Sequence, residues 1–350
     1  MRGEPGVQVV VMAGGEGSRL RPLTVDRPKP MAPVANRPLL EHILRLVRRH
    51  GIDRLTATVH YRAEAIESYF GSGDRWSVAL ELARETVPLG TAGSVRAVWR
   101  HGERVLVLSG DALTDLDLRA LLAFHESRGA LATMALHEVL DPTGLGVVQV
   151  GADGRVLHFV EKPPRGAAVG RLVNTGIYVL EPEVMALIPT GSPYDFGRNL
   201  FPRLMAEGLP VYGWHGRGYW CDVGTLERYL GGNLAALRHE VALELGGSEL
   251  WPGIRLGNGA RVHPSARLEA PVLLGEGAWV GPNAYVHHCV VGTGARIEAQ
   301  AWVERSVVLP GVHVEADWQV NRSIVSEHGV LPIDAPTPAS TEAAASAYGA

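Results

Sequence analysis

Disulfides, long apolar runs and a basic excess are all missing from this chain. Only two cysteines, Cys221 and Cys289, occur in 350 residues. No disulfide framework is available, and a reducing compartment, the cytoplasm, is expected. The first apolar run, Val7 to Ala13, is too short for a signal-peptide core or a membrane span, and no later run is long enough, so no membrane partner is expected. Acidic residues outnumber basic ones, 37 to 33, for a formal net charge of −4, which argues against a nucleic-acid binder. Lysine is the scarcest basic residue. Lys29 and Lys162 stand alone, and the other basic residues are arginine. Arginine evidently serves wherever a generic positive charge is wanted. The two lysines then mark places where a compact ammonium on a thin stem is needed and a planar guanidinium does not fit.

Against these absences stand 46% hydrophobic and 20% charged residues, a globular composition with enough length for two or three cores. Val7–Met12 is a continuous β-branched run, the pattern of a buried parallel strand. Pro38 opens a helix with Leu39, Leu40, Ile43, Leu44 and Val47 at helical spacing. Strands at 55–60, 78–82 and 105–108 alternate with helices at 62–70 and 91–99, which predicts an α/β sheet with helices on both faces. Ligands in such sheets bind at the carboxyl ends of the strands. From Ala130 to Cys221 strands dominate, with helices expected at 182–187 and 196–207, and Thr225 caps a last helix to about Arg238. The pattern changes near Trp251. Leu256, Val262, Leu268, Leu274, Val280 and Val286 recur every sixth residue, and VHHCVV, VERSVV and VNRSIV then recur every seventeenth. Neither a helix nor a hairpin has this period, whereas a triangular coil with one short strand per side does. The division expected is a catalytic domain over 1–238, a linker over 239–252, a short left-handed parallel β-helix over 253–333, and a low-complexity, disordered tail over 334–350.

The densest chemistry lies in AGGEGSRLRPLTVDRPKPM, residues 13–31. Gly14, Gly15 and Gly17 after Ala13 form a loop without side-chain bulk, where backbone N–H groups can close on a phosphate. Arg19 adds a fixed fork of donors, and Pro28 and Pro30 stiffen the backbone around Lys29. No Gly-Lys-Ser/Thr follows, so this is not a P-loop, and the glycines fit a dinucleotide fingerprint poorly. Asp111 follows a strand in Ser109-Gly110-Asp111. As a lone residue, such an aspartate serves equally as a turn or cap residue.

This segment resembles the signature of the nucleotide-sugar pyrophosphorylases, the sugar-1-phosphate nucleotidyltransferases. The likeness runs over about residues 7 to 332. It includes Pro88-Leu89-Gly90-Thr91-Ala92-Gly93, Ser109-Gly110-Asp111, Phe159-Val160-Glu161-Lys162-Pro163, Asn174-Thr175-Gly176-Ile177-Tyr178 and Tyr219-Trp220-Cys221-Asp222-Val223-Gly224. It is nearest to bacterial mannose-1-phosphate guanylyltransferase-like members. The resemblance implies a Rossmann-like mixed sheet before the β-helix, and a magnesium ion held by Asp111 and Asp222. It implies a nucleoside triphosphate held by the loop of Ala13, Gly14, Gly15 and Gly17 and by Glu85, Gly90 and Thr91. It places the sugar phosphate on Gly146, Glu161, Lys162, Asn174 and Gly176, and gives the catalytic cations as Arg19, Lys29 and Lys162. Adjacent strand residues point to opposite faces, so Glu161 and Lys162 reach one ligand only if the chain twists or bulges at Pro163. Leu145 stands where the family usually has an aromatic ring.

In the segment by which the family reads the base, Glu85 is acceptor-only. Guanine offers two adjacent donors, which a carboxylate can take together, so GTP is favoured, with mannose 1-phosphate as partner. Glucose 1-phosphate with a thymidylyl, uridylyl or adenylyl donor is the alternative. Two other readings compete: a non-catalytic regulatory relative, which should have lost the lysines or carboxylates, and a β-helix acyltransferase. The latter would use His263, His287, His288 or His313, but His287 and His288 occupy repeat positions that read as a solvated face. A homo-oligomer is expected.

Overall fold

The structure is a computed structural model that describes residues 6–164 and 170–333; the expected tail lies outside these. By compactness the chain divides into two units. The first runs to Gly224 and includes Val241–Leu243; the second comprises Thr225–Glu240 and residues from Glu244 onward.

The first unit is built on a mixed sheet. Its strands are β1 (Val7–Met12), β2 (Arg54–Val59), β3 (Ala79–Arg84), β4 (Arg104–Ser109), β6 (Ala132–Glu138), β7 (Val147–Val150), β8 (Val156–Val160), β9 (Leu172–Leu180) and β10 (Val211–His215). The main order is β8-β7-β9-β4-β1-β2-β3, with β6 on β9 and β10 on β6. Strands β3, β2, β1 and β4 are parallel, and β9 joins them antiparallel to β4. A separate antiparallel pair, β5 (Ala112–Thr114) with β11 (Trp220–Asp222), begins three residues after β4 ends.

Strand periodicity explains the two-sided core. Alternate residues of β1 face opposite ways. Val9 and Val11 pack with Leu55, Leu106 and the helices α1 (Leu39–Arg49), α2 (Ala63–Phe70) and α4 (Leu118–Arg128). Val10 packs on the other face with Val105, Val107 and the helices α3 (Gly90–Val98), α5 (Pro182–Ala186) and α6 (Phe201–Ala206). Continuous β-branched runs are what a strand buried on both faces requires. Residues 112–129 carry no expectation above. Their helix is nonetheless signalled by Asp117, whose side chain accepts from the N–H groups of Arg119 and Ala120, and by left-handed Gly129 at its end.

One expected helix is corrected. Residues 196–207 are not a single α-helix: Phe196–Leu200 is a π-helical turn, and α6 starts only at Phe201. Pro202 explains the break, since it has no N–H and its ring would clash with the carbonyl four residues back. The wider turn before it accommodates both constraints.

The second unit begins with α7 (Leu226–Leu237), capped by the Thr225 hydroxyl, which accepts from the Arg228 N–H at 3.3 Å. The sequence division puts this helix in the first domain; by compactness it groups with the repeats. Ser248–Trp251, within the expected linker, forms a strand antiparallel to Ile254–Leu256. The repeats then form a parallel β-helix. Leu256, Leu274, Val291, Val308 and Val325 stack in register along one side. Val262, Val280, Ile297 and Val314 stack along a second. Leu268, Val286, Val303 and Val320 stack along the third. The seventeen-residue period arises at one corner, where His288, Arg305 and Arg322 adopt positive φ of 52°, 47° and 45°. His288 is half-buried, with Arg238 Nη1 at 3.4 Å from its Nε2, so this position is less solvated than the repeat suggests. His263 and His313 are exposed.

Candidate active site

The Gly-rich loop leaves the carboxyl end of β1 between two neighbours. Ala13 N–H donates to Thr58 O at 2.9 Å, and Gly110 N–H donates to Met12 O at 2.9 Å. The chain then folds back, and Lys29 N–H donates to Gly15 O at 3.3 Å. Gly17 is where this fold-back needs glycine. Its φ is 74°, and a Cβ there would lie 2.7 Å from Lys29 Cβ.

Lys29 thus lies against the loop with only 5% of its surface exposed. Its Nζ sits 2.7 Å from Asp111 Oδ2 and 2.9 Å from Asp222 Oδ1. Asp111 follows β4 directly and accepts from Ser109 Oγ at 2.5 Å, while the pairing of Asp222 with Ala112 brings the second carboxylate alongside. Burial works against the Lys29 ammonium, but the Asp111 and Asp222 carboxylates outweigh it and raise its pKa above the ordinary value. Burial likewise works against the Asp111 carboxylate, and the Lys29 ammonium holds it below the usual carboxylate range.

A cavity of about 370 Å³ opens beside this triad. It brings together Arg19, Lys29, Thr91, Asp111, Gly146, Glu161, Lys162, Asn174, Gly176 and Asp222 of the residues expected from sequence. Glu161 and Lys162 both reach it because the strand has already ended: β8 stops at Val160, and Lys162 takes a left-handed φ of 48°. The turn falls at Lys162 itself, one residue before Pro163. Lys162 Nζ lies 3.7 Å from Glu161 Oε1. The Glu161 carboxylate is wedged between two glycines, since a Cβ on Gly146 would come within 2.7 Å of Glu161 Oε2 and one on Gly197 within 2.5 Å. Gly146 is therefore required by Glu161 packing as much as by any ligand. Asn174 spans a bulge in β9, accepting from Gly176 N–H at 3.1 Å and donating to Tyr178 Oη at 2.8 Å. Leu145 lines the cavity.

Ala13, Gly14, Gly15, Gly17, Glu85 and Gly90 do not line this cavity. Several of them border the carboxyl ends of β1, β2 and β3. Glu85 N–H donates to Val59 O at 2.8 Å and Glu85 O lies 3.0 Å from His60 Nδ1, while a Cβ on Gly14 would lie 3.4 Å from His60 Cβ. The sequence reasoning missed Asp195, Gly197, Arg198, Tyr178 and Trp220, all of which line the cavity. Arg198 is exposed and projects from the π-helical turn. The signal for that turn was Pro202.

A cavity at strand carboxyl ends, carrying cations and two adjacent carboxylates, is suited to handling phosphorylated substrates. Residues 8–239 match the nucleotidyl transferase family, and the chain belongs to it. Residues 270–337 match the GlmU-like C-terminal hexapeptide family. Among relatives, the chain is 36% identical over 286 residues to a UTP–glucose-1-phosphate uridylyltransferase of Synechocystis sp., covering 77% of this chain and 74% of the relative. It is 35% identical over 298 residues to a mannose-1-phosphate guanylyltransferase of Mycobacterium tuberculosis, covering 81% and 79%. The fold is shared with a Bacillus anthracis protein provisionally assigned as a glucose-1-phosphate thymidylyltransferase and solved with sucrose. That match has a TM-score of 0.60 at 22% identity and covers 68% of this chain and 98% of the other.

Proposed function

We propose that the enzyme transfers a nucleotidyl group from a nucleoside triphosphate to a sugar 1-phosphate, releasing pyrophosphate, with GTP and mannose 1-phosphate as substrates. The observation that carries this is the meeting of Arg19, Lys29, Lys162, Asp111 and Asp222 in one cavity. The reaction joins two polyanions. A phosphate with a second pKa of about 6 is already a competent nucleophile near neutrality, so no general base is required. What the site must supply is position and positive charge.

Asp111 and Asp222 suit a magnesium ion. Their oxygens already grip a cation, the Lys29 ammonium, at 2.7 and 2.9 Å. Two carboxylates with the remaining positions left to water and phosphate are a usual donor set for this metal. When bound, magnesium supplies charge neutralisation between the two phosphates. Lys29 exchanges its carboxylates for the polyphosphate and, with Arg19, steadies the leaving pyrophosphate. Lys162 anchors the attacking phosphate, with Arg198 as a second donor. Glu161 and Asn174 orient the sugar, and Gly176 leaves room for it. Ala13, Gly14, Gly15 and Gly17 receive the phosphates of the nucleotide, and Glu85, together with Gly90 and Thr91, reads the base.

GTP is favoured by the acceptor-only Glu85 and by the guanylyltransferase named among the relatives. Glucose 1-phosphate with UTP is the second reading, favoured by the Synechocystis relative. A coupled pyrophosphate assay across four triphosphates and several sugar phosphates tests both: release with GTP and mannose 1-phosphate above all other pairs supports the first. Release with no pair overturns the class. Among the described residues no helix is long and apolar enough to cross a membrane. We place the reaction in the cytoplasm, since both cysteines are free thiols. We assign self-association to the second unit, where Leu250, Trp251, Trp302 and Trp318 are exposed. Light scattering on the eluted chain tests this, and a monomer refutes it.

A further inference from the structure

Two segments distant in sequence are bonded together at the mouth of the cavity. One is Leu89–Gly93, at the start of α3 on the side assigned to the nucleotide. The other is Tyr194–Asn199, which carries Gly197 and Arg198 on the side assigned to the sugar phosphate. Tyr194 N–H donates to Leu89 O at 2.8 Å, and Tyr194 O accepts from the N–H groups of Ala92 and Gly93, each at 2.9 Å. Gly90 permits this approach: its φ is 70°, and a Cβ there would lie 2.8 Å from Tyr194 O. Asp195 adds the side-chain half of the clip. Its Oδ1 accepts from Thr91 Oγ1 at 3.1 Å and from Thr91 N–H at 3.3 Å, while Thr91 Oγ1 accepts from Phe196 N–H at 3.0 Å.

Asp195 also founds the π-helical turn. Its carbonyl accepts from Leu200 N–H at 3.0 Å and from Asn199 N–H at 3.1 Å, and its own N–H donates to Asn199 Oδ1 at 2.8 Å. One residue therefore fixes Thr91 at one end and the turn bearing Gly197 and Arg198 at the other. That turn in turn sets the space for the Glu161 carboxylate, which would lie 2.5 Å from any Cβ on Gly197.

We propose that Asp195 is a positioning residue that sets the separation between the two substrates. The inference rests on the reaction proposed above. In-line displacement needs the attacking oxygen within about 3–3.5 Å of phosphorus, and misplacement by about 1 Å can cost on the order of a hundredfold. The chemistry asked of Asp195 is that of a hydrogen-bond acceptor: Oδ1 takes two donors from Thr91, and an amide oxygen does the same. Its negative charge is not needed.

The test is steady-state pyrophosphate release by the full chain carrying Asp195→Ala, Asp195→Asn, Thr91→Val or Thr91→Val with Asp195→Ala. Asp195→Ala should lower kcat at least about tenfold, with equilibrium binding of each substrate alone held within about twofold. Asp195→Asn should restore kcat to within about twofold of wild type. The double variant should fall well short of the product of the two single losses, because both changes remove the bond from Thr91 Oγ1 to Asp195 Oδ1. Asp195→Asn as impaired as Asp195→Ala would overturn the proposal, because the charge would then act on a substrate directly. Unchanged kcat in Asp195→Ala, or multiplying effects in the double variant, would overturn it as well. If Asp195→Ala does not fold, Thr91→Val against Asp195→Asn gives the same decision: Thr91→Val must lose turnover with equilibrium binding of the nucleotide held within about twofold, and Asp195→Asn must keep turnover. Wild-type chain that releases no pyrophosphate sinks the proposed reaction instead, and is scored separately.

Discussion

Lys29→Met removes the ammonium between Asp111 and Asp222 while keeping the side chain's length and much of its volume. Two carboxylates are then left facing each other, with Asp111 28% and Asp222 20% exposed. Removing one partner from a buried ion pair costs about 3–5 kcal/mol. Partial exposure lets water screen the remaining charges, so about 2–4 kcal/mol is the expected loss. For a unit of this size that lowers Tm by roughly 4–16 °C. The pH dependence follows from the two shifts. Asp111 has a folded pKa below its ordinary 3.8, so its contribution is full above that value and is lost as the pH falls through the folded pKa. Lys29 has a folded pKa above its ordinary 10.5, so its contribution is full below that value and is lost as the pH rises through the folded pKa. The gap between wild type and variant is therefore widest between about pH 5 and 10 and narrows in acid, where protonation relieves the repulsion. Differential scanning fluorimetry from about pH 3 to about pH 11, with and without millimolar magnesium, reads this directly. Magnesium should raise Tm more in the variant than in wild type, because the ion no longer competes with an ammonium. A Tm within about 1 °C of wild type at pH 7 would refute the reasoning.

Two further outcomes follow from side-chain geometry. Gly197→Ala would place a Cβ 2.5 Å from Glu161 Oε2, so KM for the sugar phosphate should rise about tenfold while KM for the nucleotide holds; equal changes in both would contradict the wedge. Glu85→Gln replaces an acceptor-only group with one that also donates, so the preference of kcat/KM for GTP over UTP should fall about tenfold. An unchanged ratio would show that backbone atoms read the base.

The architecture was legible where a pattern repeats. Val7–Met12 reads as a buried strand because a doubly covered parallel strand needs apolar side chains on both faces. The β-helix reads from its period, because each coil must present one aliphatic residue per side to the coil below. The site was legible only as residue types. That Asp222 stands beside Asp111 depends on pairing between Trp220–Asp222 and Ala112–Thr114, about a hundred residues apart, and no local signal encodes it. That Lys29 lies between those carboxylates follows from a fold-back that Gly17 permits. Asp195 carries no motif of its own in the sequence, and its bonds to Thr91 belong to tertiary structure alone. The π-helical turn was the one local feature open to reading, through Pro202.

The most direct measurement is single-turnover pyrophosphate release by Asp111→Asn and Lys162→Ala at saturating GTP, mannose 1-phosphate and magnesium, with folding checked by circular dichroism. Each charge lost from the cleft should slow the step at least about a hundredfold, as removal of an electrostatic contact to a developing anion typically does. Near-native rates in both folded variants would contradict the claim that this cleft works by placing positive charge between two anionic reactants.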